Sequence, residues 1–233
     1  MMKKRSKRYR ASGDPVERMA GHGVSNAIGQ LLAMARAKFD ETVELAVRLG
    51  FTSKQGDQSV RGIVKLPHGS GKTMRVVAFT ERPEEAIAAG AMHAGLRDLI
   101  TKIESGWCDF DVAVATTSAM KEVRSVAKIL GPRGLMPSPK AGTVGDDVEK
   151  IIGEVKAGRS EFKMDKAANI SIAVGKCSFE KSALEENIRE ALAAIARARP
   201  ESTKDGMIRS AFISSTMSPS IAIDVMDEIR LGN

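Results

Sequence analysis

The sequence predicts two domains of different class: an α+β domain assembled from both chain ends, residues 1–66 and 160–233, and a parallel α/β domain, residues 67–159, inserted between them. Three observations carry this. Between Pro67 and Arg159 short apolar strands alternate with helix-like segments, the rhythm of βαβ units with helices on both sheet faces. After Arg159 the pattern reverts to alternating strands and amphipathic helices, closer in kind to the section before Pro67. The 233 residues are 42% hydrophobic, enough for one large core or two small ones, and only 4% aromatic, so Ala, Val, Ile, Leu and 12 methionines must fill them.

The elements follow in order. "ASGDPVERMAGHG" (11–23) carries Gly, Pro and polar residues and reads as irregular. Ser25 is placed to cap a helix with Ile28, Leu31, Leu32 and Ala35 on one face. A second helix is expected from Asp40, whose carboxylate would accept first-turn N–H groups. Val43, Ala46 and Val47 would form its stripe and Gly50 its stop. "SVRGIVKL" alternates Val60, Gly62, Val64 and Leu66 against Arg61, Ile63 and Lys65, a strand.

In the middle section, strand "MRVVAF" precedes helix "PEEAIAAG", and helix "LRDLITKIESG" precedes strand "DVAVAT". Helix "SAMKEVRSVAKIL" then runs into a Gly/Pro loop and helix "DDVEKIIGEVKAG". Beyond Arg159, "SEFKMD" and "ISIAVGKC" flank "KAAN", which is expected to turn as a hairpin. Leu184, Ile188, Leu192 and Ile195 mark a helix with Pro200 just past it. "MIRSAFISSTM" alternates as a final strand ended by "SPS". The chain crosses between domains near Pro67 and Arg159, a natural hinge pair.

The formal charge is +7, and Lys3, Lys4, Arg5, Lys7, Arg8 and Arg10 account for six of it, leaving the folded body close to neutral. Such a tail is either an arm along phosphates or a plain solvated terminus. It lacks the apolar run of a secretory signal, and no apolar stretch approaches the ~20 residues of a membrane helix. Cys108 and Cys177 are far apart, and His22, His68 and His93 form no ligand pair, so neither a metal site, a disulfide framework nor a cofactor is expected. No serine, cysteine or carboxylate constellation points to catalysis.

"PHGSGKT" (67–73) ends like a P-loop, yet the position of the first glycine is Leu66. The following "TMRVVAFT" reads as a strand, which aims no helix dipole at a phosphate. Asp109 and Asp111 come before their apolar strand rather than at its end, where a magnesium-binding aspartate belongs. An enzyme built on the α/β domain would also need a glycine-rich turn from strand into helix, which that section lacks. The stretch is a glycine-rich connection between strands.

"ILGPRGLMPSPKAGTVG" (129–145) holds four prominent glycines and three prolines, which restrain Arg133 and Lys140; alone it suits a phosphate-contacting loop or an ordered connection equally. It also closely resembles the signature of the bacterial-type ribosomal protein L-one family, that of the mobile stalk of the large subunit. "KFDETVELAVRLG" (38–50), "QSVRGIVKLPHGSGKTMRV" (58–76), "GWCDFDVAVAT" (106–116), "AGRSEFKMDKAANI" (157–170) and "ISSTMSPS" (213–220) are similar to that family, in family order. The region before Lys38 is less family-like.

The resemblance implies a discontinuous split α+β domain with an inserted Rossmann-like α/β domain, and no enzyme. It implies a cytoplasmic protein on the ribosome, monomeric off it, whose first domain grips large-subunit rRNA at the stalk base. It further implies release of deacylated exit-site tRNA and repression of the protein's own messenger RNA. Carried over by residue, the main rRNA surface falls on Lys38, Phe39 and Thr42, at the start of the expected second helix, and on Ser215, Thr216, Met217 and Ser218.

Lys38 offers charge, while Thr42, Ser215 and Thr216 suit 2′-hydroxyls. Phe39 suits stacking, worth ~1–3 kcal/mol where a base is involved. Core positions are the alternative for Phe39 and Met217. Glu161, Lys163, Asp165, Lys166 and Ser171 form a second set, for which a solvated edge strand serves equally. The family usually has glycine where Ser218 stands and histidine where Ser171 stands, so both departures bear on contact detail.

Overall fold

A computed structural model of the chain describes residues 19–34, 37–50, 60–198 and 208–225, together with Lys7 and Tyr9. The expectations for the rest of the basic tail, for residues 11–18, and for Ala35 and Pro200 lie outside these residues. In chain order the elements begin with α1 (Val24–Ala33), β1 (Thr42–Leu49), β2 (Arg61–Lys65), β3 (Val76–Phe79), α2 (Pro83–Ala88) and β4 (His93–Gly95). Next come α3 (Arg97–Glu104), β5 (Val112–Ala115), α4 (Met120–Val123), α5 (Ala127–Leu130) and α6 (Val148–Lys156). The chain closes with β6 (Arg159–Lys163), β7 (Asn169–Lys176), α7 (Lys181–Arg197), β8 (Ile208–Ser215) and β9 (Ile221–Ile223).

Two compact units result: Met1–Gly71 with Ser160–Asn233, and Lys72–Arg159. In the first, β7, β1, β8 and β9 form an antiparallel sheet in that order, and β2 pairs with β6 in a separate two-stranded sheet. The strands bury every second residue: Val43, Leu45, Val47 and Leu49 on β1, Ile170, Ile172 and Val174 on β7. These meet Ala27, Ile28 and Leu31 of α1 and Leu184, Ile188, Leu192 and Ile195 of α7 in one core.

Four local expectations are corrected. Residues 40–50 are not a second helix but mostly β1. Val43 and Val47 fit a four-residue spacing as well as a two-residue one. Pairing with both β7 and β8, and the β-branched Thr42, Val43 and Val47, decide for the strand. Asp40 caps no helix; its carboxylate accepts from Ser178 N (3.1 Å) and Oγ (2.8 Å). Ser25 lies inside α1, which starts one residue earlier after Gly23 with no side-chain cap.

The third correction concerns "SEFKMD" and "ISIAVGKC". They turn about Asp165–Ala168, but β6 pairs with β2 and β7 with β1, so no hairpin ladder forms. Each strand instead pairs with one distant in sequence. The fourth concerns β8, which is not the last strand: the short β9 pairs with it after the "STMSPS" turn.

In the second unit β4, β3 and β5 make a parallel sheet in that order. Val77, Phe79, Ala113 and Ala115 pack one face against Leu99, Ile103, Val123 and Leu130. Val76, Ala78 and Val114 pack the other against Ala86, Ile152 and Val155, so helices cover both faces. Residues 120–130 are helical but change pitch through a 3-10 turn at Arg124–Val126. The Gly/Pro loop is ordered: Ser138 and Thr143 bond one another across it, and Val144 bridges in parallel to Ala115 beside β5.

The glycine-rich connection is tied into the first unit rather than open for a phosphate. Asn187, fully buried, accepts from His68 N at 3.1 Å and donates to Gly69 O at 2.9 Å and Val174 O at 2.7 Å. The lysine of the P-loop-like sequence, Lys72, donates to Asp111 at 2.7 Å. Asp111 also accepts from Arg75 N (3.1 Å) and Nε (3.2 Å), and Arg75 bonds Asp109 as well. Both aspartates are therefore partners of basic side chains.

Lys72 above all holds the Asp111 carboxyl down from its ordinary 3.8 to about 2. A depressed carboxylate pKa contributes stability that is complete above the ordinary value and is lost as pH falls from there through about 2. Asp111→Asn should therefore cost about 1–2 kcal/mol in urea unfolding at pH 6. At pH 2 it should cost almost nothing. Equal losses at both values would refute the pairing.

Candidate nucleic-acid interface

Three chain segments converge at one end of the four-stranded sheet, where β1 begins and β7 and β8 end. Thr42 N donates to Thr216 Oγ1 (3.1 Å) and Thr216 N to Thr42 O (3.1 Å), extending the β1–β8 ladder into the loop. Lys176 Nζ donates to Thr42 Oγ1 at 2.8 Å. This occupies an acceptor site of the hydroxyl and leaves its proton for an incoming acceptor. Cys177 N donates to Glu41 O at 2.8 Å, holding the end of β7 against the start of β1.

Glu41 sits at the centre. It is 1% exposed, and its carboxylate accepts from Ser215 Oγ (2.6 Å), Met217 N (2.9 Å) and Ala37 N (2.6 Å). Around it the loop closes on itself: Ser218 Oγ accepts from Ser215 N at 2.8 Å, and Ser218 N donates to Ser215 O at 3.1 Å. Two large apolar side chains stand out of this frame into solvent, Phe39 at 54% and Met217 at 57% exposure. Neither is a core residue, which removes the alternative reading of both.

The other residues of the first set divide. Lys38 and Thr216 are exposed and Thr42 is half-buried, all at this end of the sheet. Ser215 is buried and its hydroxyl proton goes to Glu41, so it shapes the loop from within rather than facing a 2′-hydroxyl. Ser218, where glycine is usual, has no positive φ; its hydroxyl closes the turn.

The second set is not brought to the same place. Thr42 pairs with Lys176, whereas Arg48 pairs with Asn169 at the far end of the same ladder. Six residue steps put the Asp165–Lys166 turn ~20 Å away along the strands. There Asp165 accepts from Ala167 N (2.8 Å) and Asn169 N (2.7 Å), and these bonds, Asn169's first, hold its carboxyl below the ordinary range. Ala168, with φ of 62°, makes the bend. Asp165 is thus a turn residue. Glu161 and Lys163 are exposed on β6, and Ser171 is exposed on β7 opposite Ala46, midway along the sheet.

Sequence reasoning missed Glu41 and Lys176. Glu41 follows directly on the Lys38-Phe39-Asp40 run, but the helix expected from Asp40 gave the capping role to the neighbouring aspartate and drew no attention to Glu41. Among the described residues, no group of three or more His, Cys, Asp and Glu could hold a metal, and no helix is long and apolar enough to cross a membrane.

Hydroxyls, an amine and two exposed apolar side chains are gathered on one end of a split α+β unit, an arrangement with the chemistry of a binding surface. The model of the Ribosomal protein L1p/L10e family matches residues 31–219. The chain is 48% identical over 224 residues, 95% of its length and 95% of the relative's, to "Large ribosomal subunit protein uL1" of Protochlamydia amoebophila. It is 46% identical over 225 residues, 96% and 97% of the two lengths, to the protein of the same name in Kosmotoga olearia. The chain belongs to the Ribosomal protein L1p/L10e family, and is a ribosomal protein with no enzymatic role.

Proposed function

We propose that this chain is a constituent of the large ribosomal subunit that grips large-subunit rRNA at the base of the mobile stalk through its first unit. The supporting observation is the surface around Glu41, where half-buried Thr42 and exposed Lys38, Phe39, Thr216 and Met217 are assembled from segments 174 residues apart. Hydroxyl protons and acceptors there match RNA 2′-hydroxyls, Lys38 and Lys176 supply charge, Phe39 offers a flat face to a splayed base, and Met217 a flexible apolar contact. In the cytoplasm, on the ribosome, the stalk would accompany deacylated tRNA from the exit site. Free and monomeric, the protein would bind a mimic of the rRNA site on its own messenger and repress translation.

The swing would take place at the chain crossings, residues 67–72 and 159–160. Asn187 holds residues 68 and 69 to the first unit. Arg159 is anchored in the second by Glu154 (2.7 Å) and Ala141 O (3.1 Å). The free torsions then lie between residues 69 and 72 on one crossing, past the expected Pro67, and just after Arg159 on the other.

The test is binding to a stalk-base rRNA hairpin against a scrambled hairpin across a salt titration. Fragment-selective binding that survives deletion of residues 1–10 is expected. The slope should report ~0.7–0.9 per phosphate contact. Binding that fails to discriminate, or that disappears with the tail, overturns the reading.

A further inference from the structure

The geometry points to Glu41 as the residue that positions the RNA-contacting loop, an inference that rests on the RNA reading above. The backbone N–H groups of Met217 and Ala37 can only donate, and they meet opposite oxygens of the same carboxylate. Ser215 Oγ adds a further donor at 2.6 Å. An ionised carboxylate accepts on both oxygens with no proton to accommodate, whereas glutamine has one accepting oxygen and an NH2 that would face a donor. Bonds to a charged acceptor are also shorter and stronger than neutral ones. Glu41 therefore joins the lead-in to Lys38 and Phe39 to the loop bearing Thr216 and Met217. It sets the spacing between the two halves of the surface.

The sign of its effect separates positioning from simple electrostatics. A buried negative charge beside a polyanion opposes binding, so removing the charge alone would strengthen RNA affinity. Positioning demands the opposite: Glu41→Gln releases the loop and weakens affinity. Because Glu41 is 1% exposed it makes no phosphate contact, so the salt slope should stay unchanged while affinity falls.

The experiment measures full-length wild type, Glu41→Gln and Ser215→Ala. Each is tested for affinity to the stalk-base rRNA hairpin across salt, and for hydrogen exchange of the Met217 amide in the free protein. Glu41→Gln should lose about tenfold in affinity at constant slope, with at least about tenfold faster exchange at Met217. Ser215→Ala, which keeps the carboxylate and removes one donor, should fall between. Affinity for Glu41→Gln equal to or above wild type overturns the inference. Should Glu41→Gln not fold, wild-type affinity and wild-type Met217 exchange in Ser215→Ala overturn it instead. A wild-type chain that does not distinguish the hairpin defeats the RNA reading itself, and Met217 exchange then still decides whether Glu41 orders the loop.

Discussion

Thr216→Ala should lower affinity for the stalk-base rRNA hairpin roughly tenfold to hundredfold, whereas Lys163→Ala at the same salt should lower it no more than a few-fold. The Thr216 hydroxyl accepts from Thr42 N at 3.1 Å and donates to Thr42 O at 3.4 Å, a long bond that a ribose or phosphate oxygen at ordinary distance would displace. Alanine removes that contact and also strips Thr42 N of its partner. Thr42 presents the other hydroxyl of the site, so both are disturbed together. Lys163 is exposed on β6, away from this end of the sheet, and offers at most one phosphate contact. Its loss should appear as a change of ~0.7–0.9 in the salt slope. Fluorescence anisotropy with a labelled hairpin measures both variants; equal losses would reverse the ranking of the two surfaces.

Asn187→Ala should destabilise the first unit by about 2–4 kcal/mol. Three backbone groups depend on this one amide: His68 N, Gly69 O and Val174 O. Asn187 is wholly buried on α7, so alanine leaves Val174 O without a partner in the core and frees the connection at residues 68–69. Glu186→Gln is the matched control. Its carboxylate meets His68 Nε2 at 2.7 Å, but both side chains are substantially exposed, and such a contact is worth no more than about 1 kcal/mol. Urea unfolding of the two variants compares them directly. An Asn187→Ala loss below that of Glu186→Gln would show that the connection is held by something other than this amide.

Much of the fold was legible because the signals were local and periodic. Val76–Phe79 and Val112–Ala115 are short apolar strands bounded by helices with clear stripes, and nothing competes with that reading. The helix-like "DDVEKIIGEVKAG" does form α6, and the structure adds its cap, Asp147, which accepts from Lys150 N at 3.1 Å. Residues 42–49 were not legible: Val43 and Val47 satisfy both periods, and two neighbouring strands rather than local preference settle the matter. The same misreading hid Glu41. A glutamate after a lysine, a phenylalanine and an aspartate has no local mark of burial.

What the sequence by itself determined is the order of the pieces: two flanking α+β sections, a βαβ section between them, and a set of motifs in the order of one family. It also excluded a phosphate-binding loop at residues 67–73, because a strand follows where a helix is required. Only the tertiary structure decided which pieces meet. It placed "KFDET" against "STMSP", paired β6 with β2 rather than β7, and enclosed Glu41 among donors from Ala37, Ser215 and Met217. The physical reason is that a hydrogen bond between residues 174 positions apart leaves no periodic trace in either segment. Such contacts are selected by the shared core, which sets the register of β1 against β7 and β8 and so brings the donors to the one carboxylate that can accept them all.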